Sequence, residues 1–362
     1  MDFGIFNLMG YREPGKTTAQ VLSEATEQTR VAEELGFAMS WFAEHHFSNY
    51  AICPSPLMMV AHCAPITSRI RLGTGVLVLP LYNPARLTAE IAMADALCGG
   101  RLVLGVGSGY QPYEFERFGL NLADSKEMFH EFLDIIELGL SQQFFSYAGQ
   151  HYRLAETHIT PRIQQKRLPI WIAGDSPELH RMAARRGYVP MMAGRTGDMA
   201  SVIAQRDRCA ASFQAEGVPL EQMPIALQRH ACVTTDRDEA RRFAENALYQ
   251  IRLTTGLRRR TEVMDGHMIR NQPFPEEPSI ETIMRNLLIG DPEHCAEMLA
   301  AEIRAANPIH MNFYFQLGEF PHRSVLRSME MFMTRVVPLL TRELGPLDAI
   351  GAQAREQPMA AV

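Results

Sequence analysis

The sequence is short of the features that would commit it to a membrane, a nucleic acid or an oxidising compartment. Its six cysteines stand apart at positions 53, 63, 98, 209, 232 and 295, with no C-x-x-C pair and no metal-type spacing. Neither a disulfide framework nor a zinc site is encoded. Reduced thiols and a cytoplasmic location are the expectation. No apolar stretch is long enough to span a bilayer, and Met1-Asp2-Phe3-Gly4-Ile5-Phe6 enters a strand directly, without the basic start of a signal peptide. A positive excess is also missing: 35 Lys and Arg against 41 Asp and Glu leave a formal charge of −6, which argues against a phosphate-polymer partner. No G-x-G-x-x-G follows a strand, so nothing marks an NAD(P)H site. The first strand carries no His-x-His, which disfavours a metal-dependent barrel hydrolase.

What is present is ordinary globular composition: 362 residues, 46% hydrophobic and 21% charged, enough for one large α/β barrel or two medium domains. Short apolar runs alternate with helical periodicity. Strands are expected at Phe3–Leu8, Met39–Phe42, Ile70–Leu79, Leu102–Val106, Ile170–Ala173, Val189–Met192, Ile225–Thr234 and His310–Phe315. Between them lie helical stretches such as Thr18–Leu35, closed by Gly36, and Pro177–Arg186, closed by Gly187. Eight strands in this rhythm predict an eight-stranded parallel (β/α)8 TIM barrel with insertion loops, spanning residues 1–345 as a single domain. Residues 144–161 break the rhythm as a hairpin excursion, and 252–289 read as a lid insertion. The tail 346–362, rich in Ala, Gln and Pro, is expected to have no fold.

Chemistry concentrates where strands end. Trp41-Phe42-Ala43-Glu44-His45-His46-Phe47 places a carboxylate and two imidazoles after a strand, and Gly105-Val106-Gly107-Ser108-Gly109-Tyr110 opens another into a glycine-rich loop. In a parallel barrel these ends share one mouth. Adjacent strand residues face opposite ways, so only one histidine of the pair can face it in a regular strand. A bare His-His pair would be an ordinary loop feature. Gly174-Asp175-Ser176-Pro177 follows a strand and opens a helix, which suits either a phosphate or a plain capped start. The run Arg258-Arg259-Arg260 reads as solvated loop, with an anion clamp as the alternative.

These motifs, with G-T-G-V-L-V-L-P at Gly73–Pro80 and G-D-P-E-H-C at Gly290–Cys295, strongly resemble the bacterial luciferase-like family of flavin-dependent monooxygenases over nearly the whole chain. The resemblance implies a barrel that binds reduced FMN, reacts it with O2 to a peroxyflavin and oxidises a small, largely apolar organic substrate. It places the catalytic residue on His45, where an imidazole with a pKa near about 6.5 suits proton exchange, with Glu44 and His46 in support. Cofactor-binding positions carried over are Thr74, Gly75 and Val76, with a non-proline cis peptide expected in that segment; Gly107, Ser108 and Tyr110; and Gly174, Asp175, Ser176 and Leu179. Gly107 and Ser108 stand where luciferase has a reactive cysteine and an arginine, so Arg195 is named as the substitute cation. The resemblance further implies a separate NAD(P)H:flavin reductase and a homodimer. A deazaflavin-dependent dehydrogenase of the same superfamily and a noncatalytic flavin-binding subunit are the alternatives.

Overall fold

The computed structural model describes residues 1–13, 15–194 and 197–355. Eight strands form its centre: β1 (Asp2–Asn7), β2 (Met39–Phe42), β3 (Arg71–Thr74), β4 (Leu102–Gly107), β5 (Ile170–Ala173), β6 (Val189–Met192), β7 (Ala226–Val233) and β8 (His310–Tyr314). Each pairs in parallel with the next, and β8 pairs with β1, so the sheet closes. Around it run α1 (Thr18–Leu35), α2 (Pro56–Cys63), α3 (Pro84–Leu97), α4 (Pro112–Arg117), α5 (Ser125–Ser141), α6 (Pro177–Arg186), α7 (Met199–Ala215), α8 (Arg237–Arg259), α9 (Ile280–Asn286), α10 (Pro292–Ala306) and α11 (His322–Met331). This is the expected (β/α)8 barrel. Among the described residues no helix is long and apolar enough to cross a membrane.

Local chemistry explains the element ends. Thr17 and Gln20 form a reciprocal capping box at the start of α1, and Gly36 closes it at φ 92°, a left-handed conformation that a Cβ would oppose. Asn83 and Asp291 cap α3 and α10 with Pro at the first turn of each.

One end of the barrel is filled with side chains. Trp41 is fully buried and lies over Gly73, where a Cβ would come within 2.3 Å of its ring. Its ring centroid is 4.8 Å from that of Trp171, and its Nε1 donates to His310 Nε2 at 3.2 Å. The other His310 nitrogen bonds the Asp2 carboxylate. Asp2 and His310 begin their strands, so this plug closes the amino-terminal end and leaves the cavity to the other.

The structure corrects three expectations. The strand Ile70–Leu79 is two pieces, Arg71–Thr74 and Leu77–Val78, separated at the cis Gly75–Val76 peptide; the second piece pairs with β4 at Val106 and Gly107. The stretch 252–289 is not one insertion, because α8 continues to Arg259, followed by a two-strand turn at 264–269, α9 and a short strand at Leu288–Gly290 alongside β7. Leu253 and Leu257 are buried one turn apart and hold the extension down despite the weak helix formers Thr254, Thr255 and Gly256. The turn is pinned as well: Asn49 Oδ1 accepts from Ile269 N at 2.8 Å. Finally, residues 346–355 form a 3₁₀ turn and a short helix, with the Met1 ammonium bonded to Leu347 O and, at 2.7 Å, to Ile350 O. Residues 356–362 lie outside the described residues. The excursion at 144–161 is a hairpin, Phe145–Ala148 against Arg153–Thr157.

Candidate active site

The carboxyl ends of the strands surround a cavity of about 600 Å³, within the roughly 300–1,000 Å³ typical of enclosed small-molecule sites. Every strand contributes: Phe6 from β1, Glu44 and His45 after β2, Gly75 and Val76 after β3, Gly107 from β4, Ala173 from β5, Met191 from β6, His230 from β7 and Tyr314 from β8. The ninth wall is α8, through Gln250, Ile251, Thr254, Thr255 and Arg258.

At its centre is an imidazole held by a carboxylate. His45 Nδ1 lies 3.0 Å from Glu114 Oε1, and the same oxygen accepts from His46 N at 2.8 Å. Glu114 is almost fully buried. Its carboxylate accepts only, so Nδ1 carries the proton and Nε2 is the nitrogen available to a bound molecule. Burial disfavours the charged ring, but the Glu114 charge and hydrogen bond outweigh it and raise the His45 pKa above its ordinary value. Beside the ring runs a polar chain: Gln111 Nε2, which lies 3.0 Å from Nδ1 but as a donor makes no bond to the protonated nitrogen, donates to the Tyr110 hydroxyl at 3.1 Å, and that hydroxyl is 3.1 Å from the Tyr50 hydroxyl. Tyr50 meets Thr254 Oγ1 at 3.3 Å.

Glu44 is buried beside it. One oxygen lies 2.9 Å from His46 Nε2, and the other accepts from Val78 N at 3.0 Å. Desolvation raises its pKa, against the pull of those two partners. The two histidines thus diverge into separate carboxylate pairs. Phe47, which ends the motif at φ 64°, turns the chain through a conformation that costs a non-glycine residue about 1–2 kcal/mol.

Ten of the residues named from sequence line the cavity: Glu44, His45, Gly75, Val76, Gly107, Ser108, Tyr110, Gly174, Asp175 and Arg258. Thr74 does not. Its hydroxyl is fully buried, donating to Gly105 O at 2.7 Å and accepting from Gly105 N at 2.9 Å, so it bridges β3 to β4 where the ladder ends. Ser176 and Leu179 stand behind the wall: Ser176 Oγ accepts from Leu179 N at 3.2 Å and caps α6. Arg195 lies outside the described residues. Sequence reasoning missed Glu114, Gln228, Gln250 and Thr254, which stand on helices or mid-strand without any local motif. It also missed Arg208, whose Nη2 is 2.6 Å from Asp175 Oδ2.

The walls suit a flavin mononucleotide. Gly75, Gly107 and Gly174 leave backbone exposed to the cavity, and a Cβ on Gly107 would come within 2.9 Å of Val76 Cγ2. Toward the start of α6 lie the Ser108 hydroxyl and the Asp175 backbone, with Arg208 outside the lining and paired with the Asp175 carboxylate. That donor set fits a phosphate.

The model for luciferase-like monooxygenases matches residues 1–307. The chain belongs to that family. A protein of uncharacterised function from Sinorhizobium fredii is 38% identical over 96% of this chain and 100% of its own. The oxygenase component of a flavin-dependent trigonelline monooxygenase from Acinetobacter baylyi is 26% identical over 93% and 95%. Among solved structures, a monooxygenase of Streptomyces bottropensis superposes with a TM-score of 0.80 at 23% identity, covering 93% of this chain and 99% of its own. An F420-dependent secondary alcohol dehydrogenase shares the fold at a TM-score of 0.71 and 17% identity, covering 94% and 98%.

Proposed function

We propose that this luciferase-like monooxygenase uses reduced FMN and O2 to insert one oxygen atom into a small organic molecule. The observation that carries the reading is the His45–Glu114 pair opening into a barrel-mouth cavity with a phosphate-type donor set at one end. Reduced FMN would supply the electrons that activate dioxygen. The chain's own contribution is positional and protic. Gly75, Val76 and Gly107 offer a flat wall to a ring system, while Ser108 and the Asp175 backbone hold an anionic tail and Arg208 offsets the Asp175 carboxylate behind them. His45 Nε2 exchanges a proton with the reacting oxygen, Glu114 fixes its tautomer, and Glu44 with His46 holds the loop that carries it. The mixed lining, with Gln228, His230, Gln250 and Thr254 among apolar groups, argues for a substrate more polar than the resemblance implies.

Reduction falls to a separate NAD(P)H:flavin reductase: the sequence has no dinucleotide fingerprint, and the Acinetobacter relative is named an oxygenase component. A homodimer is supported by large apolar side chains left exposed on adjacent helices, Met58 at 70% on α2 and Met93 and Leu97 at 51% and 58% on α3. Six unpaired, buried cysteines fit a cytoplasmic setting.

An anaerobic titration comparing reduced FMN with reduced F420, followed by turnover under ¹⁸O₂, tests the reading. FMN preference and one labelled oxygen in the product support it. F420 preference with oxidation that needs no oxygen would replace it by the deazaflavin-dependent dehydrogenase; flavin binding without any turnover would leave a noncatalytic subunit.

A further inference from the structure

The geometry points to an organic acid as the substrate, its carboxylate held by Arg258 at the rim of the cavity and its body directed toward His45. This inference rests on the oxygenase reading and adds the substrate class. Three arginines end α8, and they differ in one respect. Arg259 pairs with Glu276 at 3.2 Å and Arg260 pairs with Glu116, whereas Arg258 has no carboxylate within ion-pair distance among the described residues. It lines the cavity instead, with its guanidinium carbon 4.4 Å from the centre of the Tyr110 ring. Stacking on an aromatic face leaves the guanidinium edge, with its forked donors, free to meet a carboxylate.

The hydrogen bonding of the cavity favours the same class. Its acidic groups each have partners: Glu44 has His46 Nε2 and Val78 N, Glu114 has His45 Nδ1 and His46 N, and Asp175 has Arg208. Arg258 is the lining cation without a carboxylate among the described residues.

A second, buried observation lies two turns deeper on the same helix face. Gln250 is 5% exposed, lines the cavity, and its Nε2 has no hydrogen-bond partner among the described residues. Between the two, Thr254 Oγ1 is within 2.9 Å of Gln250 O. A helix face with spacing of four residues thus offers a cation at the rim and an unspent donor inside, both asking for acceptors. Size follows from the neighbours. The Tyr110 ring under Arg258 is centred 5.8 Å from the His45 ring, which with the 4.4 Å to Arg258 keeps the cation within about 10 Å of the imidazole. A single-ring acid lying alongside Tyr110 covers that distance and brings its far side to His45.

The test is binding of benzoate, cyclohexanecarboxylate and 2-furoate, each against its carboxamide, to the FMN-loaded protein by calorimetry. The wild-type protein is expected to favour at least one acid over its amide by tenfold or more. Arg258→Ala should erase that preference while leaving FMN affinity within about twofold, and Arg258→Lys should retain part of it because charge remains but the fork is lost. A wild-type protein that favours none of the acids, or an Arg258→Ala protein that keeps the preference, overturns the inference. Loss of FMN affinity in Arg258→Ala also overturns it, by assigning the arginine to the flavin phosphate. If wild-type protein takes up no FMN at all, the oxygenase reading fails; an acid preference retained without flavin would leave the Arg258 assignment standing by itself.

Discussion

Glu114 Oε1 lies 3.0 Å from His45 Nδ1 and 2.8 Å from the backbone nitrogen of His46, so one buried carboxylate oxygen sets both the protonation of the first histidine and the position of the second. The carboxylate comes from α4, sixty-nine residues away in sequence from the imidazole that it orients.

Removing that charge should move a titration. With Glu114→Gln the imidazolium loses its partner but stays buried, so the His45 pKa should fall, and the limb of the kcat/KM profile that reports it should shift to lower pH. The pair also stabilises the fold: because the folded pKa is raised, that contribution is complete below the unfolded value of about 6.5 and fades as pH climbs through the folded value. Histidine NMR titration of both proteins checks it; an unmoved His45 resonance would refute the pairing.

His45→Ala should leave FMN affinity within a few-fold and cut turnover by about two orders of magnitude or more, the usual worth of a positioned acid or base. Steady-state assay beside flavin titration separates the two. Turnover near the wild-type rate would take His45 out of the mechanism.

The donor set at Ser108 and the Asp175 backbone, with Arg208 offsetting the Asp175 carboxylate, should read the FMN phosphate. Riboflavin is expected to bind at least about tenfold more weakly, the value of roughly one charge-assisted hydrogen bond. Equal affinities by fluorescence titration would discard this end as the phosphate site.

Arg229 and Glu302 form a buried pair at 2.8 Å, with the arginine also donating to Gly197 O at 2.8 Å and Asn286 O at 2.7 Å. Glu302→Gln strands the cation and should cost about 3–5 kcal/mol of stability, measured by urea unfolding. A loss below about 1 kcal/mol would mean that the backbone carbonyls alone neutralise Arg229.

Met93→Asp should break the proposed dimer without unfolding the barrel, because Met93 is 51% exposed in the single chain. Sedimentation velocity would show a monomer. A dimer of unchanged affinity would move the interface away from α3.

Much of this protein is set by local sequence. The period of apolar residues specifies eight strands and their helices, since one face of each element must be buried, and Gly36, Asn83 and Asp291 mark helix ends through short-range chemistry. His45 and Glu44 were legible because a strand end in a parallel barrel has a known destination. Tertiary structure decided what local rules do not reach. Thr74 and Ser176 were named as ligands, yet each spends its hydroxyl on nearby backbone, a choice that depends on which unsatisfied group lies closest after folding. Glu114 and Gln250 carry no motif and acquire a role only when α4 and α8 are packed over the mouth. The polar residues of α8 look in sequence like a solvated end; folding turns that face into the cavity, because Leu253 and Leu257 on the adjoining stripe take the core.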